Sequence, residues 1–268
     1  MMEMIFPGIG VWRGALNVDS EFSLRLWKHR YEQDRGQSWS GNPHDGPMHH
    51  FEQGYGPVRC RNFQLPDGWG RETEEDLYSW YLQEELQKQL FEYLTMYPNG
   101  FKDIHWQEAH RLLYYYPGAR MGPHSDNTSG TMLNHYGLNF SDPVAPTRVI
   151  CSLQFLNDRT DEEEAGEFDY IGGELEFPYL GVTFVPRIGD TIMYPANFLF
   201  THGVTPVLDG HRIVNLSCWS QGDFSKLNFF MQDTGEDQEK WGSVPGGNCP
   251  IEFTCDEAFW NIGRYDAT

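Results

Sequence analysis

Tyr115-Tyr116-Pro117-Gly118-Ala119-Arg120-Met121-Gly122-Pro123-His124-Ser125-Asp126 ends in two ligand-type side chains two residues apart. On an extended chain, residues i and i+2 share a face. The imidazole of His124 and the carboxylate of Asp126 then project together into one space. A His-x-Asp spacing alone is common, and its ordinary reading is a polar turn after Gly122-Pro123.

A second stretch changes that balance: Thr201-His202-Gly203-Val204-Thr205-Pro206-Val207-Leu208-Asp209-Gly210-His211-Arg212. Two histidines and one carboxylate on one face of an octahedron suit Fe(II) and leave positions open. Arg212 begins Arg212-Ile213-Val214-Asn215-Leu216-Ser217-Cys218-Trp219, a strand by its β-branched, alternating residues. Pro206-Val207-Leu208-Asp209-Gly210 reads as a turn. His202 and Arg212 are therefore expected on consecutive antiparallel strands joined by a tight connection. A buried Arg needs an anion, because an unpaired buried charge is costly. A guanidinium grips a carboxylate through two parallel hydrogen bonds. The far carboxylate of a 2-oxo acid whose other end chelates a metal would serve.

With these residues in place, the region from about Leu112 to Trp219 resembles the Fe(II)/2-oxoglutarate dioxygenases, specifically their prolyl-4-hydroxylase-like branch. Five blocks in order carry the resemblance. They are Tyr115-x-x-Gly118-x5-His124-x-Asp126; Arg148 to Asp158; Gly172-Gly173-Glu174-Leu175-Glu176-Phe177-Pro178; Pro186 to Tyr194; and His202-Gly203-Val204-x-Pro206-Val207-x-x-Gly210-x-Arg212. The resemblance implies a double-stranded β-helix (jelly roll) core. It implies iron on His124, Asp126 and His202, and the distal carboxylate of 2-oxoglutarate on Arg212 and Tyr115. Arg212 stands where that branch usually has Lys, and Met121 where an aromatic is common. Cys151 stands where a Thr often helps hold the co-substrate, which makes it a third candidate contact.

The implied activity is hydroxylation of an unactivated C–H with Fe(II), 2-oxoglutarate and O2, ascorbate being a candidate accessory reductant. Succinate and CO2 would be released, and the substrate would be a prolyl peptide, a protein or an amino-acid-type small molecule. Asp126 favours hydroxylation over halogenation, since related halogenases lack the carboxylate. The rival readings are a non-catalytic jelly-roll module binding a small acid, a Zn(II) hydrolase, and an AlkB-like oxidative demethylase.

Composition bears on these rivals. The 268 residues carry a formal net charge of −20, which argues against binding phosphate backbones and hence against the demethylase. An apolar content of 39% with 15% aromatic residues supports a substantial core. Five cysteines, at 60, 151, 218, 249 and 255, show no pairing frame. Cys151 and Cys218 fall in apolar strands and also read as small buried hydrophobes. No secretory signal or membrane-length apolar run is seen, so the expectation is a soluble, cytoplasmic or intracellular protein, with no expectation for its oligomeric state.

The chain is expected to be mainly β with flanking helices. Residues 1–105 read as an N-terminal helical and loop support region, 106–222 as the core, and 223–268 as a tail packed on it. Asp19 caps a short helix to Tyr31. Glu72 to Tyr97 is the clearest helix, with Leu77, Trp80, Tyr81, Leu86, Leu90, Phe91 and Leu94 at helical spacing and acids in its first turns. It should brace one face of the barrel. Residues 34–72 read as a long loop holding His44, His49 and His50, and 127–147 as a lid holding His135. Strands are expected at 112–116, 148–156, 174–177, 182–185, 190–194, 198–204 and 211–219.

Overall fold

The computed structural model describes residues 1–26, 60–64, 74–102, 104–108, 111–127 and 145–222, together with the residue pairs 37–38, 132–133, 139–140 and 249–250. The loop histidines at 44, 49, 50 and 135, and all but two residues of the 223–268 tail, lie outside the described residues.

The first strands are β1 (Glu3–Phe6), β2 (Ile9–Trp12), β3 (Gln37–Ser38) and β4 (Cys60–Gln64). Next come β5 (Trp106–Gln107), β6 (Arg111–Tyr115), β7 (Met121–His124), β8 (Met132–Leu133), β9 (Asn139–Phe140) and β10 (Arg148–Phe155). The later strands are β11 (Tyr170–Gly172), β12 (Leu175–Phe177), β13 (Val182–Phe184), β14 (Thr191–Pro195), β15 (His202–Val204), β16 (Val207–Gly210), β17 (Arg212–Ser220) and β18 (Cys249–Pro250). Helix α1 covers residues 20–26 among those described, and α2 runs Glu74–Met96.

The large sheet runs β1-β2-β14-β10-β17-β6-β4-β3, with β5 and β18 off its edge. The small sheet runs β13-β12-β15-β7. All their pairings are antiparallel. The fold is the expected jelly roll, and strand alternation divides its side chains. Leu113, Tyr115, Cys151, Leu153, Phe155, Val214, Leu216 and Cys218 of the large sheet point inward. There they meet Leu175, Phe177, Phe184 and Val204 of the small sheet. The residues between them, such as Leu112, Tyr114 and Ile213, face the other way into a second apolar layer with Leu82 of α2. Tyr115 is thus turned inward, opposite Tyr114 and Tyr116, as alternation predicts.

Helix α2 braces the outer face through Leu82, Leu86, Leu90, Tyr93 and Leu94, packed on Trp12, Ile150, Met193 and Trp219 among others. Each such burial stabilises by about 1.5–3 kcal/mol. The stripe is rotated from the sequence expectation. Leu77 is 48% exposed, while Leu82 and Tyr93, absent from that expectation, are buried. Asp19 caps α1 as expected, accepting from the amides of Glu21 and Phe22 at 2.8 and 3.2 Å.

The N-terminal strands are stitched into the large sheet. β2 pairs with β14. Buried Asp190 accepts from Arg13 Nη1 at 2.6 Å, Gly14 N at 2.8 Å and Arg187 N at 3.0 Å. Glu92 of α2 accepts from the Trp12 indole at 2.7 Å and from Met2 N at 2.8 Å.

Two expectations are overturned. Residues 207–210 form strand β16, paired with β11, rather than a turn. His202 and Arg212 therefore sit in different sheets, β15 in the small one and β17 in the large one. Residues 198–200 are a single 3-10 turn capped by Asn197, not the start of the strand. Two such aromatics beside Leu199 suit a strand by composition, but Asn197 Oδ1 accepts from Leu199 N and closes the turn first.

Candidate metal centre

Strands β7 and β15 are neighbours in the small sheet, with His202 directly opposite His124. Gly203 makes the close pairing feasible, because a Cβ there would lie 2.9 Å from the Met121 carbonyl oxygen. The two imidazole centroids are 4.5 Å apart. His124 is the last residue of β7, and Asp126 follows in a turn. Its Oδ1 lies 3.7 Å from His124 Nε2 and its Oδ2 3.6 Å from His202 Nε2. One ligand atom from each of the three residues falls within 4.8 Å of the others. The structure therefore brings together all three ligands expected from sequence.

The orientation of each ring suits a metal. His124 Nδ1 lies 2.9 Å from the Gly122 carbonyl, and His202 Nδ1 lies 3.1 Å from the Phe200 carbonyl. A donor at each Nδ1 leaves each Nε2 lone pair facing Asp126, the arrangement that outer-shell acceptors impose on metal-bound imidazoles. Asp126 Oδ2 is buried with no hydrogen-bond partner among the described residues. A buried carboxylate oxygen left that way is costly unless a cation meets it.

Electrostatics agree. Burial raises the Asp126 carboxyl, but His202, His124 and Arg148 outweigh it and hold the group well below the usual carboxylate range. Burial dominates at His202 and holds it down to about 4. At His124 burial also lowers the value, but the hydrogen bond and charge of Asp126 outweigh it and raise the imidazole. Near neutral pH Asp126 is ionised and His202 neutral, the states a metal requires, while His124, raised by Asp126, gives up its proton when a metal takes the site.

The surrounding space is walled by Leu113, Tyr115, Met121, Leu153, Leu175, Tyr194, Val204 and Leu216, and holds about 20 Å³. That suffices for roughly one water. A five-carbon diacid must displace flexible side chains such as Met121 to enter. The Tyr194 hydroxyl reaches in, 3.1 Å from His202 Nε2.

Arg212 is 0% exposed and lies beyond this space, its guanidinium 4.7 Å from the Tyr115 ring centroid and 5.1 Å from that of Phe155. None of its three nitrogens has a hydrogen-bond partner among the described residues. Its charge is buried and awaiting an anion, as the sequence reading required. The Tyr115 hydroxyl faces Met121 Sδ at 4.0 Å. Cys151 is fully buried opposite Cys218 and does not border the space. Glu174 accepts from Arg159 at 2.8 Å and from the Thr205 hydroxyl, which ties it to the scaffold.

Sequence reading missed the support behind Asp126. Arg148 donates to both oxygens of Glu108, at 2.5 and 2.8 Å, and to the Asp126 carbonyl at 3.0 Å. The only available signal was a charged residue heading an otherwise apolar strand.

A model of the 2OG-Fe(II) oxygenase superfamily matches residues 110–221. No match is found among the curated proteins. A prolyl hydroxylase from Trichoplax adhaerens, in complex with a hypoxia inducible factor oxygen degradation domain peptide fragment, aligns with a TM-score of 0.53 at 13% identity, covering 80% of this chain and 84% of its own. At that identity the likeness bears on the fold. A viral collagen prolyl hydroxylase from Paramecium Bursaria Chlorella virus-1, in its 2OG complex, aligns at 0.48 with 15% identity, covering 81% and 97%. A Pseudomonas putida prolyl-4-hydroxylase aligns at 0.49 with 15% identity, covering 81% and 94%. The matched segment contains the two histidines, the aspartate and the buried arginine, and it is similar to the oxygenase domain of that superfamily.

Proposed function

We propose that this chain hydroxylates an unactivated C–H bond of a peptide, protein or amino-acid-type substrate, with a prolyl side chain as the first candidate. The observation that carries the reading is the convergence of His124, Asp126 and His202 in a core that also buries Arg212, whose guanidinium has no hydrogen-bond partner among the described residues. The prolyl assignment leans on likeness to the Trichoplax enzyme, whose structure holds a peptide.

Fe(II) bound here supplies O2 activation coupled to oxidative decarboxylation of 2-oxoglutarate, which yields succinate and CO2. The chain's own residues do the rest. His124, Asp126 and His202 would hold the ion, and the Gly122 and Phe200 carbonyls keep both imidazoles aimed. Arg212 is the proposed anchor for the co-substrate's distal carboxylate, with the ring of Tyr115 lying against its guanidinium. Leu113, Leu153, Leu175, Val204 and Leu216 keep bulk water from the reacting centre. A reducing compartment suits the ferrous ion. Among the described residues no helix is long and apolar enough to cross a membrane.

The test is anaerobic addition of Fe(II) and 2-oxoglutarate, which should give a weak visible metal-to-ligand charge-transfer band. Admission of air should then yield succinate. No band and no succinate leave the small-acid binding module. Activity that survives strict exclusion of O2 favours the Zn(II) hydrolase.

A further inference from the structure

Two polar side chains are sealed in the core without partners, and they meet at one glycine. Arg212 is 0% exposed, and its Nε, Nη1 and Nη2 have no hydrogen-bond partner among the described residues. Tyr170, first residue of β11, is also 0% exposed, and its hydroxyl likewise has none. A Cβ on Gly173 would lie 2.8 Å from Arg212 Cδ and 3.2 Å from Tyr170 Cε2. The two side chains therefore flank the same backbone position, where φ is +67° and glycine is the residue that fits. The strand register supports this, since β11 pairs with β16, which directly precedes β17 and Arg212.

Each orphan is costly alone. A buried unpaired hydroxyl and a buried unpaired guanidinium both lose water without replacement. One ligand repairs both: a carboxylate, which accepts from a cation and a phenol at once. Burial pushes the Tyr170 phenol up; the charges of Arg212 and Arg159 and the approach of the hydroxyl to the Arg212 guanidinium only partly offset it, so the hydroxyl keeps the proton it must donate and sits beside the cation. Tyr115, the tyrosine named by motif, is placed differently. Its ring face lies on the guanidinium, while its hydroxyl points to Met121 Sδ in the metal-side space.

We infer that Tyr170 is a co-substrate-binding residue, its hydroxyl donating with Arg212 to the distal carboxylate of 2-oxoglutarate, while Tyr115 contributes an aromatic wall. This rests on the oxygenase reading above. It also sets specificity within 2-oxo acids, since 2-oxopentanoate, which lacks the distal carboxylate, leaves both donors unpaired.

The experiment is calorimetric titration of 2-oxoglutarate, and separately of 2-oxopentanoate, into anaerobic Fe(II)-loaded protein. Wild type, Tyr170→Phe and Tyr115→Phe are compared. Tyr170→Phe should weaken 2-oxoglutarate about tenfold, the lower end for a hydrogen bond to a charged group. It should leave 2-oxopentanoate and Fe(II) affinity unchanged. Tyr115→Phe, which keeps the aromatic wall, should weaken 2-oxoglutarate less than Tyr170→Phe does. Without ligand, Tyr170→Phe should be as stable as wild type or more so, because the lost hydroxyl had no partner. If Tyr170→Phe binds 2-oxoglutarate like wild type, or destabilises or unfolds the ligand-free chain, the assignment is overturned. If wild type takes up no 2-oxoglutarate, the oxygenase reading fails and this inference fails with it.

Discussion

The Arg148–Glu108 pair offers the sharpest quantitative test of how the metal centre is held. Side-chain exposures are 9% for Arg148 and 4% for Glu108, and two short hydrogen bonds join them. Replacing Glu108 with Met takes the carboxylate partner from a buried guanidinium, which costs about 3–5 kcal/mol. At about 2–4 °C per kcal/mol for a domain of this size, the expected fall in Tm is roughly 6–20 °C. Arg148 also holds the Asp126 carbonyl at 3.0 Å. Loss of such outer support typically weakens metal binding about 10–100-fold. Urea unfolding in the presence of chelator measures stability without metal linkage, and an anaerobic Fe(II) titration measures the site. The decisive variant is Glu108→Met combined with Arg148→Met, because removing both charges leaves no buried ion stripped of its carboxylate. That double variant should be more stable than either single one, yet should keep the loss of Fe(II) affinity. Additive losses, or a single-variant loss under about 1 kcal/mol, would refute the buried-pair reasoning.

Other outcomes follow from the same structure. His202→Ala should abolish Fe(II) binding, whereas Arg212→Ala should weaken 2-oxoglutarate and leave the metal in place; equal loss of metal in both variants contradicts the division of roles. Gly203→Ala brings a methyl 2.9 Å from the Met121 carbonyl and should push β15 from β7, seen as weaker Fe(II) affinity at little change in helix content. Asp190→Ala strips acceptors from Arg13, Gly14 and Arg187 and should cost about 2–4 kcal/mol, with faster amide exchange in residues 9–14. At Glu174 burial raises the carboxyl, but Thr205, its own backbone amide and Arg159 outweigh it and lower it. A depressed folded-state value gives stability that is full above the unfolded value of about 4.3 and is lost as pH falls through the folded one. Glu174→Gln should therefore flatten the acid limb of a stability–pH curve below about 4.3, and an unchanged limb would contradict this.

Much of the fold was legible because its signals are local. Inward and outward residues of β6, β10 and β17 alternate, so the period alone sets Tyr115 opposite Tyr114 and Tyr116; both faces are apolar, and only the packing decides which one lines the inner core. The helix over residues 74–96 was equally plain, yet its buried face was misread by part of a turn. Leu77 is apolar but exposed, and only the position of the sheet decides which stripe is covered. Strand β16 was hidden by turn-forming residues. Pro206, Asp209 and Gly210 favour a turn locally, and pairing with β11 overrides that preference.

By itself, the order of residues pointed to the three candidate ligands and to Arg212 as a candidate anion contact, because ligand chemistry and the cost of burying charge belong to residue types. Tertiary structure alone decided what stands beside those groups. That Arg148 grips the Asp126 carbonyl, and that Tyr170 rather than a motif tyrosine shares a glycine with Arg212, depends on which distant strands come to pair. Partners so far apart in the chain leave no local periodicity to read, since they are selected by sheet register and core packing and not by neighbouring residues.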